Sequence, residues 1–543
     1  MLFFRILPAL AVAIGSLLLS RRLLHYFQLE SYQFHGFFKT LNRQAGHALF
    51  PGLVFGICVF IILFLGALIP ASPDSAGYAV LNIIISLILI AISYILHKRI
   101  LRNGKEKKPF RVTARIKRLI GALAVVLIFV CCLRFIISGD FSDRSRLNAV
   151  ILSLVPLFLP LWVTIAALLA LPIEKLIYEL YFRDARKKLL ANDRLIRIGI
   201  TGSYGKTSTK FILSEMLSQK YNVLATPASF NTPMGITSII RTRLTPAHQV
   251  FIAEMGARHP QDIRELCRLV HPTIGVLTSV GPQHLDTFHT IENIKNTKYD
   301  LIRALPDDGL AVFANDDAIV TELYTKTEKP AKLLAGCDGS DAWASDVSVN
   351  ANGSSFILHL PDHNPIACTT PLLGKHNIAN IVLSAALASK LGVSDRQLQT
   401  AISQLKPVEH RMNIVSTANG VTVIDDAFNT NPVSSKLALD VLKMFTPRRI
   451  IVTPGMVELG ADEARFNREF GEYMADCVDQ VFLVGKNHTA PIVDGLMEKG
   501  FDSSSIHVFN SLDEAVRELK SFVQPGDTVM YENDLPDSYS EGV

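Results

Sequence analysis

Ile198-Gly199-Ile200-Thr201-Gly202-Ser203-Tyr204-Gly205-Lys206-Thr207-Ser208 reads as an apolar strand, a glycine-rich turn and the start of a helix. In that order the three pieces surround one point with backbone amides and a helix amino terminus, which is how a phosphate group is held. Gly202, Ser203, Gly205 and Ser208 line the predicted cradle, Lys206 is placed to reach the β- and γ-phosphates of a nucleotide, and the Thr207 hydroxyl is placed to ligate magnesium. The first glycine of the longer form of this loop is absent, since Ile200 stands there. A solvated lysine in an ordinary turn is the plainer alternative, and the flanking strand and helix weigh against it.

Working outward from this loop, short apolar strands alternate with amphipathic helices, the pattern of a mostly parallel sheet with helices on both faces. Strands are predicted at 195–200, 250–254, 274–279 and 310–314, with helices beginning near Lys206, Gln261, Ile291 and Asp316. A second series, with strands at 421–425, 449–453 and 480–484 and helices at 432–444 and 464–477, predicts a smaller doubly wound domain. Pro407 interrupts a helical stretch between the two series. The chain therefore divides as a central ATP-binding α/β domain over 191–407 and a smaller Rossmann-like domain over 408–543, preceded by residues 1–190.

Residues 1–190 hold apolar runs at 2–19, 47–69, 76–96, 119–137 and 147–171, and mean hydropathy is positive for the whole chain. Each approaches the ~20 residues that cross a bilayer as a helix, which predicts a transmembrane region of about five helices. The first run has no basic leader and is followed by Arg21-Arg22 where a cleavage site would need small residues, so it reads as an anchor and not a signal peptide. Pro156, Pro160 and Pro172 mark the fifth run as kinked.

Basic residues collect after alternate runs: Arg21, Arg22, Lys39 and Arg43; then Lys98, Arg99, Arg102, Lys105, Lys107, Lys108, Arg111, Arg115, Lys117 and Arg118; then Arg183, Arg186, Lys187 and Lys188. The positive-inside rule then puts the amino terminus outside and the α/β domains in the cytosol, so a multi-pass protein of the cytoplasmic membrane is predicted. The middle cluster reads as a topology signal, with anionic head groups or a polyanionic substrate as its alternative ligand. The net charge of +5 is small for 543 residues, and no basic stripe points to nucleic acid. The seven cysteines, Cys58, Cys131, Cys132, Cys267, Cys337, Cys368 and Cys477, form no CxxC pair, which fits reduced thiols.

Glu254 ends one apolar strand, and His284 lies just beyond another, in Gly281-Pro282-Gln283-His284-Leu285-Asp286. Both fall at the carboxyl edge of a parallel sheet, where open α/β sheets bind ligands. Each alone reads as an exposed polar loop residue. Beside the phosphate loop they make a set suited to magnesium.

The ordered stretches TGSYGKTST, EMGARHPQDI, IGVLTSVGPQHLDTF, NTKYDLI, NDDA, GKHNIANIVLSAALA and DDAFNTNPVSSKLALDVL, spanning about 197–442, resemble the Mur ligases, and within them the tripeptide–D-alanyl-D-alanine ligase branch. The resemblance implies an ATP- and magnesium-dependent ligase that joins a carboxylate to an amine through an acyl-phosphate. It implies magnesium at Thr207, Glu254, His284 and Lys298, the last matching a lysine often carbamylated in the family. A helix-surface lysine paired with Asp300 or Glu292 is the bland reading of Lys298. Asn315, His376, Asn377 and Asn380 resemble positions around the adenosine part, and Arg411 the interdomain arginine that reaches the γ-phosphate. Asp425, Asp426, Asn429 and Asn431 resemble the turn that opens the closing domain, although Asx-rich turns also form for structural reasons. Catalysis is assigned to Lys206, Lys298, Arg411 and His284.

Two departures bear on the substrate. Membrane helices occupy the place of the family's uridine-binding amino-terminal domain, so the expected acceptor is a carboxylate on a membrane-held or lipid-linked wall precursor. The family's Lys-Gly-Ser-Arg-like turn is replaced by Tyr531-Glu532-Asn533-Asp534-Leu535-Pro536-Asp537, which would suit a cationic group on the incoming amino acid or dipeptide amine. A membrane-bound poly-γ-glutamate-type ligase, and a nucleotide-binding scaffold without ligase activity, are the competing readings.

Overall fold

The computed structural model describes residues 2–534 apart from 70–74, 103–108, 139–145, 316, 337–338, 417–418 and 429. Asn429, Asp316, Cys337, Lys105, Lys107, Lys108, Leu535, Pro536 and Asp537 thus lie outside the described residues. The chain forms two compact units, Met1–Glu179 and Leu180–Val543.

The first unit is helical: α1 (Leu2–Leu19), α2 (Arg21–Leu29), α3 (Phe34–Arg43), α4 (Ala45–Gly66), α5 (Ala76–Arg102), α6 (Ala114–Ser138), α7 (Arg146–Leu157) and the start of α8 (Leu159–Leu190). Among the described residues, five stretches are long and apolar enough to cross a membrane: Ile6–Leu29, Ala45–Gly66, Ala76–Ile100, Ala114–Leu133 and Leu159–Leu190. The expected first loop is helical instead, as α2 and α3, because Leu23, Leu24, Phe27 and Phe37 recur at helical spacing and bury one face.

The single helix expected over 147–171 is two helices, broken at Phe158. Pro160 has no N–H to donate, and its ring crowds the carbonyl of Pro156 four residues back. The carbonyl of Val155 is satisfied instead by the Trp162 indole N–H at 2.9 Å. The freed carbonyl of Pro156 lies against Gly52 of α4, where a Cβ would come within 2.3 Å of it, and Gly56 meets the carbonyl of Ser153 in the same way at 2.7 Å. Two glycines one turn apart let the backbones of α4 and α7 touch. A bidentate pair from Arg118 to Glu174, at 2.5 and 2.9 Å, joins α6 to α8.

The second unit contains two sheets. The larger comprises β1 (Ile196–Thr201), β2 (Val223–Ala225), β3 (Val250–Glu254), β4 (Ile274–Leu277), β5 (Leu310–Ala314), β6 (Ala331–Gly336), β7 (Ala342–Asn350), β8 (Gly353–His359) and β9 (Ile366–Thr370), in the order β2-β3-β1-β4-β5-β6-β7-β8-β9. Pairing is parallel from β2 to β7 and antiparallel from β7 to β9. Ile198, Ile200, Ile252, Val276 and Val312 are buried where helices cover both faces, which explains the unbroken apolar runs of these strands. Residues of β9 alternate between buried and exposed, so this edge keeps one wet face. That alternation is the signal by which the unpredicted antiparallel end was legible.

The smaller sheet comprises β10 (Asn413–Ser416), β11 (Thr422–Asp426), β12 (Arg449–Thr453), β13 (Gln480–Val484), β14 (Ile506–Phe509) and β15 (Thr528–Glu532), in the order β10-β11-β15-β12-β13-β14. Only β10 runs antiparallel. The last strand in sequence, β15, inserts between β11 and β12, and so brings residues 426, 453 and 532 to one carboxyl edge.

Candidate functional site

The turn after β1 is shaped by Gly205, whose φ of +80° is the left-handed geometry that glycine adopts without strain, and which caps the helix Lys206–Ser218. Gly202 is as constrained: a Cβ there would lie 1.9 Å from the Thr278 hydroxyl. Ser203 ties the turn to the loop after β4 by exchanging hydrogen bonds with the Gly281 backbone, both at 2.9 Å. The loop is therefore held open around its own amides before any ligand arrives.

Two lysines converge here. Lys206 Nζ donates to the carbonyls of Gly202 at 2.7 Å and Ser203 at 3.0 Å, and Lys298 Nζ donates to the same Gly202 oxygen at 2.9 Å. Lys298 is 2% exposed, and its helix, Ile291–Arg303, rises against the underside of the loop. Its bland partners are engaged elsewhere: Asp300 pairs with Arg264 and Arg303, both at 3.2 Å, and Glu292 with Lys295 at 2.8 Å. Burial pushes the Lys206 ammonium down to about 8, with Glu254 opposing and Arg411 reinforcing the shift. Burial, and then the neighbouring Lys206, hold Lys298 well below the usual lysine range. Neither cation has a carboxylate in contact, an arrangement whose desolvation cost a bound polyanion would offset.

Glu254, 1% exposed at the end of β3, receives Lys210 Nζ at 2.9 Å on one oxygen and Asn231 Nδ2 at 3.1 Å on the other. Lys210 is fully buried and also donates to the carbonyl of Ala228. Sequence reading missed Lys210 and Asn231; the position of Lys210 on the buried face of its helix was the available signal. The residues fit ATP with magnesium: an open loop with two uncompensated cations suits the polyphosphate, and the Thr207 hydroxyl with one strand-end carboxylate is the sparse oxygen set that magnesium shares with phosphates and water. Among the described residues no three His, Cys, Asp or Glu side chains gather as a closed metal cage.

His284 lies near enough to Lys206 for its ammonium to disfavour the imidazolium, although burial is the larger cause of its lowered pKa. Its Nδ1 is hydrogen-bonded to a carboxylate oxygen of Glu458, from the loop after β12, a partner the sequence reading missed.

A cleft of about 890 Å³ opens beside the loop, lined among others by Thr207, Ser208, Phe211, Asn377, Arg411 and Phe428. Arg411 stacks on Phe428 with 4.3 Å from guanidinium carbon to ring centre. Burial lowers its pKa, while Asp426 and Glu254 oppose. His376 is pushed down to about 4 by burial and then by Arg411, so its ring is neutral. Asn377 Nδ2 donates to the Leu373 carbonyl at 2.8 Å, and Asn380 Oδ1 accepts from the Thr209 hydroxyl at 3.1 Å, next to Gly205. Asn315 is committed elsewhere, donating to Ser340 at 2.8 Å and accepting from Thr321 at 3.0 Å.

In the second sheet Asn431 caps the helix Pro432–Leu442, the structural role open to an Asx residue. Asp425 holds His410 at 2.8 Å, and Asp426 accepts from the Met412 amide at 3.1 Å. Glu532 is fully buried beside them and accepts from the Thr453 hydroxyl at 2.6 Å, with Thr430 also close enough to favour its charged form. Burial pushes both Asp426 and Glu532 up to about 7, with Arg411 opposing at the former and Thr453 at the latter.

This chain matches the Mur ligase middle domain over residues 200–388 and the Mur ligase, glutamate ligase domain over 410–531. It is 32% identical over 355 residues to the UDP-N-acetylmuramoyl-tripeptide–D-alanyl-D-alanine ligase of Mycobacterium tuberculosis, covering 61% of this chain and 69% of that one. Among solved structures, a MurF ligase of Thermotoga maritima in complex with ADP superposes with a TM-score of 0.59 at 26% identity, covering 67% of this chain and 82% of the other. A MurF of Acinetobacter baumannii gives a TM-score of 0.61 at 24% identity, over 67% and 78%, and speaks for the fold.

Proposed function

The chain belongs to the Mur ligase family of ATP-dependent amide ligases, and on that premise we propose that it activates a carboxylate as an acyl-phosphate and couples it to an amine in peptidoglycan precursor synthesis at the membrane. The observation that carries this reading is the meeting of Lys206 and Lys298 at the Gly202 carbonyl, inside the glycine-rich turn that opens the helix Lys206–Ser218. Two buried lysine amines without contacting carboxylates among the described residues resist carrying charge unless a polyanion visits them.

In this reading the loop and Lys206 hold the β- and γ-phosphates, Arg411 approaches the transferred phosphate from the second sheet, and His376, Asn377 and Asn380 line the nucleotide's place. The substrate carboxylate attacks the γ-phosphorus and ADP leaves; the amine then attacks the acyl carbon and phosphate leaves. The protein's work is to orient the reactants and offset charge. Magnesium, held by Thr207 and Glu254 with His284 near the acyl end, would neutralise the phosphate oxygens. Lys298, low in pKa, is the form of amine that adds to carbon dioxide: N–C bond formation with loss of one proton gives an anionic carbamate in place of a cation.

The first unit is read as the membrane anchor. Five stretches have the needed length, and Phe50, Leu87, Val125 and Leu169 are 62, 62, 67 and 61% exposed, an apolar exterior that suits lipid better than water. The basic clusters support a cytosolic side for the ligase unit. The relatives' names give a uridine-linked muramoyl tripeptide and D-alanyl-D-alanine as the first substrates to try, beside a lipid-linked form of the same acceptor. Phosphate release by detergent-purified protein with ATP and magnesium, across soluble and lipid-linked acceptors and a panel of amines, tests the reading. Release that needs both acceptor and amine, and disappears in Lys206→Ala, supports it; release indifferent to both sinks it.

A further inference from the structure

Among the contacts between the two halves of the ligase unit, one is not used by the chemistry above. Glu458 lies in the loop after β12, and its carboxylate meets Nδ1 of His284, the residue that caps the short helix Leu285–Phe288 beyond β4. Around this contact the same two loops touch twice more. The Asp286 amide donates to the Glu458 carbonyl at 3.4 Å, and Gly460 sits beside Asp286, where a Cβ would make an ordinary contact at 3.5 Å with Oδ1. Arg258, from the loop after β3, stands 3.8 Å from the other carboxylate oxygen of Glu458.

Both partners adopt left-handed backbone, φ +53° at His284 and +65° at Glu458, an unfavourable conformation for a side-chain-bearing residue. Two such residues facing each other are held by their surroundings, and the contact between them is what those surroundings create. A carboxylate only accepts, so Nδ1 carries the ring proton and Nε2 is the nitrogen left open. A histidine whose one nitrogen is fixed by a carboxylate presents the other in a single tautomer and orientation.

We propose that Glu458 is the positioning residue of the site: reaching across from the loop after β12, it fixes the His284 ring with Nε2 open beside Lys206. The inference rests on the ligase reading for its kinetic readout, but not for its structural one.

The test uses the full-length protein in detergent. Hydrogen exchange with a non-hydrolysable ATP analogue and magnesium should quicken at 285–290 in Glu458→Ala and at 456–460 in His284→Ala, with the double variant no faster than either single one. In phosphate release, Glu458→Ala should lower kcat about tenfold or more while the KM for ATP stays within about threefold, and Glu458→Gln, which keeps an oxygen to accept the Nδ1 proton, should recover most of the rate. Unchanged exchange at 285–290, an unchanged kcat, or equal losses in the alanine and glutamine variants would each overturn the proposal. If the unaltered protein turns over no acceptor, the ligase reading falls, and the exchange result alone decides whether Glu458 holds His284.

Discussion

Lys206 and Lys298 share a single acceptor, the carbonyl oxygen of Gly202, at 2.7 and 2.9 Å, although 92 residues of sequence separate them (298 − 206). Burial lowers both ammonium groups: Lys206 falls to about 8, where Glu254 opposes the shift and Arg411 adds to it, and Lys298, with Lys206 as its charged neighbour, is held well below the ordinary lysine range. Lys206→Ala should therefore abolish nucleotide-dependent turnover by weakening phosphate binding, with a loss of about a hundredfold or more in kcat/KM. Lys298→Ala should cost a similar factor, mainly in kcat. Steady-state phosphate release separates the two.

Carbamylation of Lys298 would make activity depend on dissolved carbon dioxide. Buffer stripped of carbon dioxide should lower the rate of the unaltered protein, and added bicarbonate should restore it. Mass spectrometry under non-denaturing conditions would see the added carboxyl, and a rate indifferent to bicarbonate argues against carbamylation.

Lys210 and Glu254 form a fully buried pair, so removing one partner strands the other's charge. Lys210→Met should destabilise the ligase unit by about 3–5 kcal/mol at neutral pH, and adding Glu254→Gln should return much of it. Thermal unfolding of the single and double variants checks the coupling, and additive losses would speak against it.

Glu532 gives a pH signature of known sign. Its folded pKa, about 7, is above the ordinary 4.5, so the folded state binds the extra proton; its stability contribution is full below about 4.5 and is lost as pH rises through about 7. The span corresponds to about 3 kcal/mol at most. Glu532→Gln keeps a group to accept from Thr453 and should flatten the fall in melting temperature between pH 5 and pH 8. Parallel curves for the two proteins would place the titration elsewhere.

In the first unit, Gly52→Leu should loosen α4 from α7, since a Cβ there meets the Pro156 carbonyl at 2.3 Å and the backbone has no rotamer to yield. A cost of about 1–3 kcal/mol is expected from overpacking. Melting in detergent would register it, whereas Gly46→Leu, with nothing within 4 Å, should be neutral.

The sequence by itself determined the local grammar. The run from Ile198 to Ser208 named the strand, turn and helix, apolar runs marked five stretches able to cross a membrane, and ordered motifs announced the family. These are legible because hydrophobic period, glycine and proline act over one or two turns of chain. The split of 147–171 at Phe158 was half written, in Pro156 and Pro160, but the capture of Val155's carbonyl by Trp162 needed the three-dimensional chain. The same holds at the site. Lys298 was marked by the family resemblance alone, and its burial under Gly202 came from the packing of its helix; Glu532 was marked only as part of an acidic turn, and Glu458 carried no local mark at all. Only tertiary structure could decide these, because a residue's partner and its solvation are set by what the fold brings from far along the chain, and burial, more than residue type, fixes which of these groups holds its charge.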